Sequence, residues 1–318
     1  MLNKNSRIFL AGHNGLVGSS TLSELKKNGF KNIITVNRKQ LDLRDYYKVE
    51  KFFKKKKIEG IIIAAARAGG ILANNSFQKD FFFENIEIQN SLLKIAIKKK
   101  VKKVIFLGTS CIYPKYAKNP ITEEKLLTGS LEKTNQCYAI AKIAGIKLCE
   151  ALFYDHGLDV VCIMPTNIYG VKDNFDKNYG HVIPAMIEKF LYAKRNNLKK
   201  VNLFGTGKPI REFLFSDDLA SAIVKIISTP KKKIMSITKN KFPIINVGSG
   251  ESVTIKKLSI LIQKLTNYRG KIVFDKKYPD GTFKKNLNSS KIRKLNWRPK
   301  VNLFFGLEKV INERKNLC

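Results

Sequence analysis

The feature that most constrains this chain is a strand, a glycine-rich turn and a helix near its N-terminus. Residues 7–11, apolar after Arg7, predict a short strand, and residues 16–28 predict a helix. Gly12, Gly15 and Gly18 are spaced three apart at this junction. Glycines in this pattern permit a tight turn, close approach of the backbone to a pyrophosphate, and close packing of helix on strand. The segment therefore predicts a dinucleotide site, with the phosphates at the helix N-terminus.

The second predicted strand, residues 32–36, is followed by the basic residue Arg38. An NAD site usually has an acidic residue at this point for the ribose 2′-hydroxyl, whereas a cation suits the 2′-phosphate of NADP. Arg38 therefore favours NADPH as the cofactor, although basic residues are frequent throughout the chain. Asp42 comes next and has two interpretations: it accepts a hydrogen bond from the adenine amino group, or it caps a helix.

Strands and helices continue to alternate through the first half of the chain. Apolar strands are predicted at residues 60–65, 103–108 and 160–164, with helices at 81–99 and 130–153. This order is typical of an α/β protein with a doubly wound parallel sheet. Ligands of such sheets bind beyond the carboxyl ends of the strands.

The pattern is less regular after about residue 166. We predict a Rossmann-like NADP-binding domain over residues 1–166 and a smaller C-terminal substrate-binding lobe over 167–318, with some segments returning to the nucleotide domain. The elements predicted in this half are helices at 182–195, 216–228 and 254–265 and strands at 201–204 and 244–247.

Composition excludes several classes of protein. The chain has 318 residues, enough for a large core, and no apolar run near the roughly 20 residues that span a bilayer. No charged region followed by an apolar segment opens the sequence as in a secretory signal. The five cysteines are scattered and odd in number, which indicates neither a disulfide framework nor a metal site. We therefore expect a cytoplasmic protein with no membrane span and no metal.

The net charge is extreme, at +35 from 60 basic and 25 acidic residues. Such an excess raises the possibility of nucleic-acid binding. The basic residues are spread along the chain, however, and are not interleaved with aromatic residues as in a base-stacking platform. We expect no nucleic-acid partner, only non-specific attraction to polyanions such as a nucleotide diphosphate.

Two short segments in the middle of the chain predict the chemistry. Tyr138 and Lys142 are four apart and share one face of a predicted helix, as they also would on an ordinary amphipathic helix. A phenol with a pKa of about 10 exchanges protons poorly at neutral pH unless a cation lowers that pKa, and Lys142 is placed to supply the cation. Thr109 follows the fourth strand and offers a hydroxyl to a carbonyl oxygen, and Cys111 adds a potential thiolate base.

With these residues in place, the chain resembles the extended short-chain dehydrogenase/reductases over nearly its whole length. Within that family it is similar to the epimerase-reductases that convert GDP-4-keto-6-deoxy-D-mannose to GDP-L-fucose. Two departures are conservative: the family usually has Ser at Thr109 and Lys at Arg67. The stretches that carry the likeness are residues 11–18, 64–71, 73–75, 110–114, 138–145, 164–170, 173–175, 181–184 and 211–213.

The resemblance implies NADPH-dependent 3,5-epimerisation followed by 4-reduction. The catalytic residues it implies are Thr109, Tyr138 and Lys142 for the reduction, with Cys111 as the base and His181 as the acid of the epimerisation. Motif and resemblance together give as cofactor-binding residues Gly12, His13, Asn14, Gly15, Leu16, Val17, Gly18, Arg38, Asp42, Ala65, Tyr138, Lys142, Pro165, Asn167 and His181. The substrate-binding residues are Thr109, Asn167, Lys189, Phe204 and Arg211. Of these, Arg211 is our candidate for the diphosphate, because its planar fork suits phosphate oxygens.

Other activities of the same fold are weighed against these residues. A 4,6-dehydratase would have an Asp-Glu pair after Thr109, where Ser110 and Cys111 stand. A 4-epimerase retains NAD, against which Arg38 argues, and a regulatory or nucleic-acid-binding member would lack Tyr138 or Lys142. The alternative that stays open is a 4-reductase or an epimerase of a related nucleotide-activated keto-sugar.

Family members pair through two helices of the nucleotide domain, so we expect a homodimer with an isologous four-helix interface. The candidate helices are those predicted at residues 81–99 and 130–153. Their apolar positions are Phe82, Ile86, Leu93 and Ile97 on the first helix and Ile140, Ile143, Ile146 and Leu152 on the second.

Overall fold

The computed structural model describes residues 1–316, and its framework is a parallel sheet with helices on both faces. The described strands are β1 (Ile8–Ala11), β2 (Ile33–Ile34), β3 (Gly60–Ile63), β4 (Lys103–Leu107), β5 (Val160–Pro165), β6 (Asn167–Tyr169), β7 (Lys200–Phe204), β8 (Ile210–Phe215), β9 (Ile244–Val247), β10 (Ser252–Thr254), β11 (Lys271–Asp275) and β12 (Lys284–Lys285). The described helices are α1 (Leu16–Lys27), α2 (Tyr46–Phe53), α3 (Ile71–Ser76), α4 (Gln78–Lys98), α5 (Gln136–His156), α6 (Val182–Arg195), α7 (Ser216–Ile227), α8 (Lys231–Ile237), α9 (Ile255–Thr266), α10 (Ser290–Arg293) and α11 (Leu303–Asn316).

The main sheet has six strands in the spatial order β2-β1-β3-β4-β5-β9, and every neighbouring pair is parallel. The chain winds outward in both directions from β1, which makes the sheet doubly wound and Rossmann-like. The predicted fold class is therefore confirmed. The carboxyl ends of all these strands lie along one edge, and that edge positions the site described below.

The main sheet is buried on both faces, which explains why its strands are continuous apolar runs. On one face Phe9, Ile61 and Phe106 pack in a cluster with apolar side chains of α2, α4 and α5. On the other face Leu10 and Ile62 pack in a second cluster with side chains of α1 and α7.

The second half of the chain builds two smaller sheets around a third apolar cluster. β8 pairs with β6, β10 and β12, and β7 pairs with β11. Two elements of this half belong instead with the main sheet: β9 pairs with β5, and α7 supplies part of the cover of one face. The domain division at residue 166 stays a prediction.

The helix predicted at residues 130–153 is displaced, because α5 begins at Gln136 and continues to His156. Of the six residues before α5, Lys133–Asn135 form a 3-10 turn, and the Glu132 carboxylate caps it by accepting a hydrogen bond from Thr134 N at 3.4 Å. Gly157 ends the helix with a φ of +64°, a left-handed conformation that glycine adopts without strain. Within residues 1–316, no helix combines the length and the hydropathy needed to cross a bilayer.

Candidate active site

A cavity of about 570 Å³ opens at the carboxyl edge of the main sheet, between it and the second half of the chain. It brings together predicted residues from many separate segments. The predicted residues that line it are Gly15, Leu16, Val17, Thr109, Cys111, Tyr138, Lys142, Pro165, Asn167, His181, Lys189, Phe204 and Arg211. The predicted residues outside its lining are Gly12, His13, Asn14, Gly18, Arg38, Asp42 and Ala65.

The glycine-rich turn has the shape of a pyrophosphate cradle. Gly12 has a φ of +85°, and a Cβ built on it would lie 2.6 Å from Ala65 N. A Cβ on Gly18 would lie 1.9 Å from Gly12 O, so this glycine lets α1 pack against the strand. Around Gly15 the nearest such atom is 3.5 Å away, and no side chain caps α1 there. The turn therefore fits a dinucleotide, with the first backbone N–H groups of α1 available to its phosphates.

Two arginines follow β2 rather than one, Arg38 and Arg44. Arg38 is exposed, and its guanidinium lies 3.5 Å from a carboxylate oxygen of Glu84. Arg44 is paired with Asp42 at 2.6 Å, and this hydrogen bond lowers the pKa of Asp42 to about 2. The capping interpretation of Asp42 is wrong, because the residue that caps α2 is Asp45. Of the two arginines, Arg38 makes the longer ion-pair contact.

The predicted reduction residues meet at the end of β4 and the first turns of α5. The side chain of Thr109 lies near the Tyr138 hydroxyl and acts to lower its pKa, and the Thr109 hydroxyl accepts a hydrogen bond from Cys111 N at 3.2 Å. Burial raises the pKa of Tyr138 well above its ordinary value, which keeps the phenol protonated. Burial also lowers the pKa of Lys142 to about 8. The Lys142 ammonium lies 4.6 Å from the centroid of the Phe106 ring. The prediction that Lys142 lowers the pKa of Tyr138 is therefore wrong, because burial dominates that pKa and the other groups that act on it are Cys111 and Thr109.

The predicted epimerisation residues reach the same cavity from different elements. Cys111 lies in a 3-10 segment after Thr109, and its sulfur accepts a hydrogen bond from Asn135 Nδ2 at 3.4 Å. His181 immediately precedes α6, and its Nδ1 lies 3.5 Å from the buried carboxylate of Asp173. This contact leaves Nε2 as the ring nitrogen for exchange with a substrate.

The predicted substrate residues form the far wall of the cavity. Arg211 on β8 donates from Nη1 to the carbonyl of Ile210 at 2.9 Å, and burial lowers its pKa. The Lys189 ammonium lies 3.8 Å from the centre of the Phe204 ring, whose stacked neighbour is Tyr278 at 3.9 Å. Asn167 donates to the carbonyl of Glu212 at 2.9 Å.

Comparison with known proteins agrees with this geometry. The family model described as NAD dependent epimerase/dehydratase family matches residues 8–248. The chain belongs to this family.

Relatives with names are similar to this chain over nearly the whole length of both proteins. GDP-L-fucose synthase 1 of Arabidopsis thaliana is 44% identical, over 100% of this chain and 96% of its own. GDP-L-fucose synthase of Escherichia coli K12 is 42% identical, over 95% of this chain and 94% of its own. Among solved structures, a GDP-mannoheptose C4 reductase from Campylobacter jejuni with NADP bound has a TM-score of 0.88, with 34% identity, 99% of this chain covered and 100% of that one.

Several residues of this epimerase/dehydratase family member enter the site without having been predicted. Asp173 lies in one of the stretches that carry the family resemblance, so a signal for it was present in the sequence. Glu132 lines the cavity and forms an ion pair with Lys115 at 3.1 Å. Lys285 also lines the cavity, and in a chain with 60 basic residues nothing distinguished it from the others. Of the remaining cysteines, Cys149 and Cys162 are buried, Cys137 is partly exposed, and Cys318 lies outside the described residues.

Proposed function

We propose that this chain catalyses the NADPH-dependent 3,5-epimerisation and 4-reduction of GDP-4-keto-6-deoxy-D-mannose to GDP-L-fucose. The observation that carries the proposal is that one cavity holds both sets of residues. Thr109, Tyr138 and Lys142 line it for the reduction, and Cys111 and His181 line it for the epimerisation. Relatives named GDP-L-fucose synthase, at 42–46% identity over nearly the whole chain, support the same assignment.

In the epimerisation, the carbonyl at C4 acidifies the protons on C3 and C5, because the charge left by their removal is delocalised onto O4. The Cys111 thiolate removes a proton from one face of the sugar, and His181 returns one to the opposite face. The Tyr138 and Thr109 hydroxyls donate to O4 while it carries that charge. Electrons and atoms balance, since each centre loses one proton and regains one.

In the reduction, bound NADPH supplies the hydride that C4 receives. Tyr138 gives its proton to O4, and its raised pKa ensures that the proton is present at neutral pH. Thr109 donates a hydrogen bond to the developing oxyanion, an interaction that is strongest in the transition state. Lys142 would hold the nicotinamide ribose, and Gly12, Gly15, Gly18 and Arg38 would hold the phosphates.

The second candidate is a simple 4-reductase, which the similarity to a GDP-mannoheptose C4 reductase favours. Cys111 and His181 separate the two candidates, because hydride transfer requires neither. Product formed from GDP-4-keto-6-deoxy-D-mannose and NADPH should be identified by NMR in deuterated water. Our proposal requires GDP-L-fucose with deuterium at C3 and C5, whereas an unepimerised product without deuterium would establish the 4-reductase.

Cys111→Ser sharpens this test. The variant should lose epimerisation while still reducing the unepimerised ketone slowly, because Cys111 has no part in hydride transfer. Deuterium appearing at C3 and C5 at the wild-type rate in this variant would remove Cys111 from the mechanism.

We also propose a homodimer in the cytoplasm, paired through the outer faces of α4 and α5. Those two helices pack side by side on the main sheet and leave Phe83, Ile140 and Tyr154 exposed. Leu93, Ile143 and Ile146, predicted for this interface, are buried in the core instead, because they face the sheet. Light scattering at moderate ionic strength should give twice the chain mass of 36.2 kDa, and a single species of that mass would exclude the dimer.

A further inference from the structure

The residue at the N-cap of α5 does not form the usual capping contact. Asn135 occupies this position, and its side chain makes no hydrogen bond to the first turn of the helix. Asparagine is favoured at an N-cap because its side-chain oxygen can accept from a free N–H group of that turn. The Asn135 Oδ1 atom is instead buried and has no hydrogen-bond partner within residues 1–316. Capping of the helix therefore does not explain the orientation of this side chain.

The amide nitrogen of Asn135 is turned toward the predicted base. Its Nδ2 donates a hydrogen bond to the Cys111 sulfur at 3.4 Å, and both residues line the cavity. The backbone of Cys111 is held by a different group, because Cys111 N donates to Thr109 Oγ1 at 3.2 Å. Thr109 thus holds the main chain of Cys111, and Asn135 holds its sulfur.

The position of this sulfur decides whether Cys111 can act as a base. A cysteine side chain has one χ1 torsion with three staggered positions, and a base must come within hydrogen-bond reach of the proton that it removes. A hydrogen bond to the sulfur favours one of these positions over the other two. Sulfur is a weak acceptor, so the bond is modest in energy, but a displacement of about 1 Å in an active site can slow a reaction about 10²-fold.

The same hydrogen bond ties the sulfur to the reduction residues. Asn135 directly precedes α5, and Tyr138 lies on the first turn of that helix. The sulfur that removes a proton and the hydroxyl that donates to O4 are therefore both positioned from one helix end. The proposed reaction requires such a fixed arrangement, because C3, C5 and O4 belong to one sugar ring.

We propose that Asn135 is the positioning residue that fixes the Cys111 sulfur in its productive place in the cavity. The inference rests on the proposed function, since a fixed sulfur matters only if Cys111 takes a proton from C3 or C5. In that step the C–H bond breaks, the sulfur receives the proton, and the electron pair is delocalised onto O4. Asn135 exchanges no proton, because its N–H group donates to the sulfur and keeps its hydrogen.

The test compares two reactions in each variant: exchange of the C3 and C5 protons with deuterated water, and single-turnover reduction of the already epimerised ketone. Asn135→Ala removes the donor and should slow exchange roughly 10–100-fold while leaving the reduction unchanged. Asn135→Asp retains the size of the side chain and the capping ability of asparagine, but a carboxylate cannot donate, so exchange should slow at least as much. Gln136→Ala is the matched control and should keep both rates, because Gln136 is adjacent, exposed and the first residue of α5.

Two results of these kinetics would overturn the inference. Wild-type exchange in Asn135→Asp would show that the shape of the side chain is sufficient and that its donor is not needed. An equal loss of exchange and reduction in Asn135→Ala would show that Asn135 supports the start of α5, and Tyr138 with it, and has no separate effect on the sulfur.

A second measurement needs no substrate. Alkylation of Cys111 by iodoacetamide is followed by mass spectrometry of the Cys111 peptide, which separates it from Cys137. Asn135→Asp should slow this alkylation several-fold, because a thiol is alkylated through its thiolate, which a carboxylate in contact with the sulfur repels. An unchanged rate would show that residue 135 does not contact the sulfur and would also overturn the inference. Slower alkylation of this variant, in a protein whose wild type leaves C3 and C5 unexchanged, would support the contact and refute the proposed function.

Discussion

The two sets of catalytic residues are built in different ways. Thr109, Tyr138 and Lys142 come from the end of β4 and the first turns of α5, which are adjacent elements of the main sheet and its cover. The epimerisation set draws Cys111 from the same edge but takes His181 and its neighbour Asp173 from the second half of the chain. Reduction therefore depends on the main sheet and the helix that covers it, and epimerisation also depends on how the second half of the chain packs against that sheet.

The largest expected effect is on the reduction residues, which lie on the main sheet and α5. Tyr138→Phe removes the proton donor and keeps the ring, so turnover should fall by roughly 10²–10⁴ with NADPH affinity little changed. Steady-state kinetics and cofactor titration measure the two quantities. If cofactor affinity falls as much as turnover does, Tyr138 is holding the cofactor and is not acting only as the donor.

The next largest effect is on the epimerisation residues alone. Asp173→Asn removes the carboxylate that faces His181 Nδ1, so exchange of the C3 and C5 protons with solvent should slow roughly 10–100-fold. Hydride transfer to the already epimerised ketone should keep its wild-type rate. Single-turnover reduction of that ketone is the control, and an equal loss in both steps would show that Asp173 supports the whole cavity.

The sequence predicted the main sheet better than it predicted the second half of the chain. The strands of the main sheet and the glycines after β1 could be predicted, because buried parallel strands are continuous apolar runs and the turn between β1 and α1 requires glycine. Short elements such as β12 carry no periodicity, so the placement of Lys285 beside Arg211 emerges only from strand pairing. The start of α5 was misplaced because Glu132 holds a turn that reads locally like a first helical turn.

A third prediction concerns the cofactor. Arg38→Ala should weaken NADPH binding by about 1.5–3 kcal/mol, which is tenfold or more, because a charge-assisted hydrogen bond to the 2′-phosphate is lost. NADH binding should be unchanged. Arg44→Ala is the matched comparison, since Arg44 is already committed to Asp42. An equal effect of the two variants on NADPH affinity would show that the two arginines share the phosphate.

The smallest expected effect is on stability. The pKa of Lys142 is about 8 in the folded chain and 10.5 ordinarily, so the unfolded chain binds more protons between those values. Burial of this ammonium therefore costs stability in full below pH 8, and the cost disappears as pH rises through 10.5. Lys142→Met should be inactive but more stable at pH 7 by about 1–2 kcal/mol. Urea unfolding at pH 7 and pH 10 should show the difference shrinking, and no difference at pH 7 would contradict it.

The return of β9 and α7 to the main sheet decides how this protein can be divided. A fragment ending at residue 166 would leave β5 as an unpaired edge and uncover the apolar face that α7 protects, two features that promote aggregation. To exchange substrate specificity between relatives, we therefore expect a C-terminal half to be a poor unit of transfer. Two separate segments, one before α7 and one after β9, are the better units to transplant.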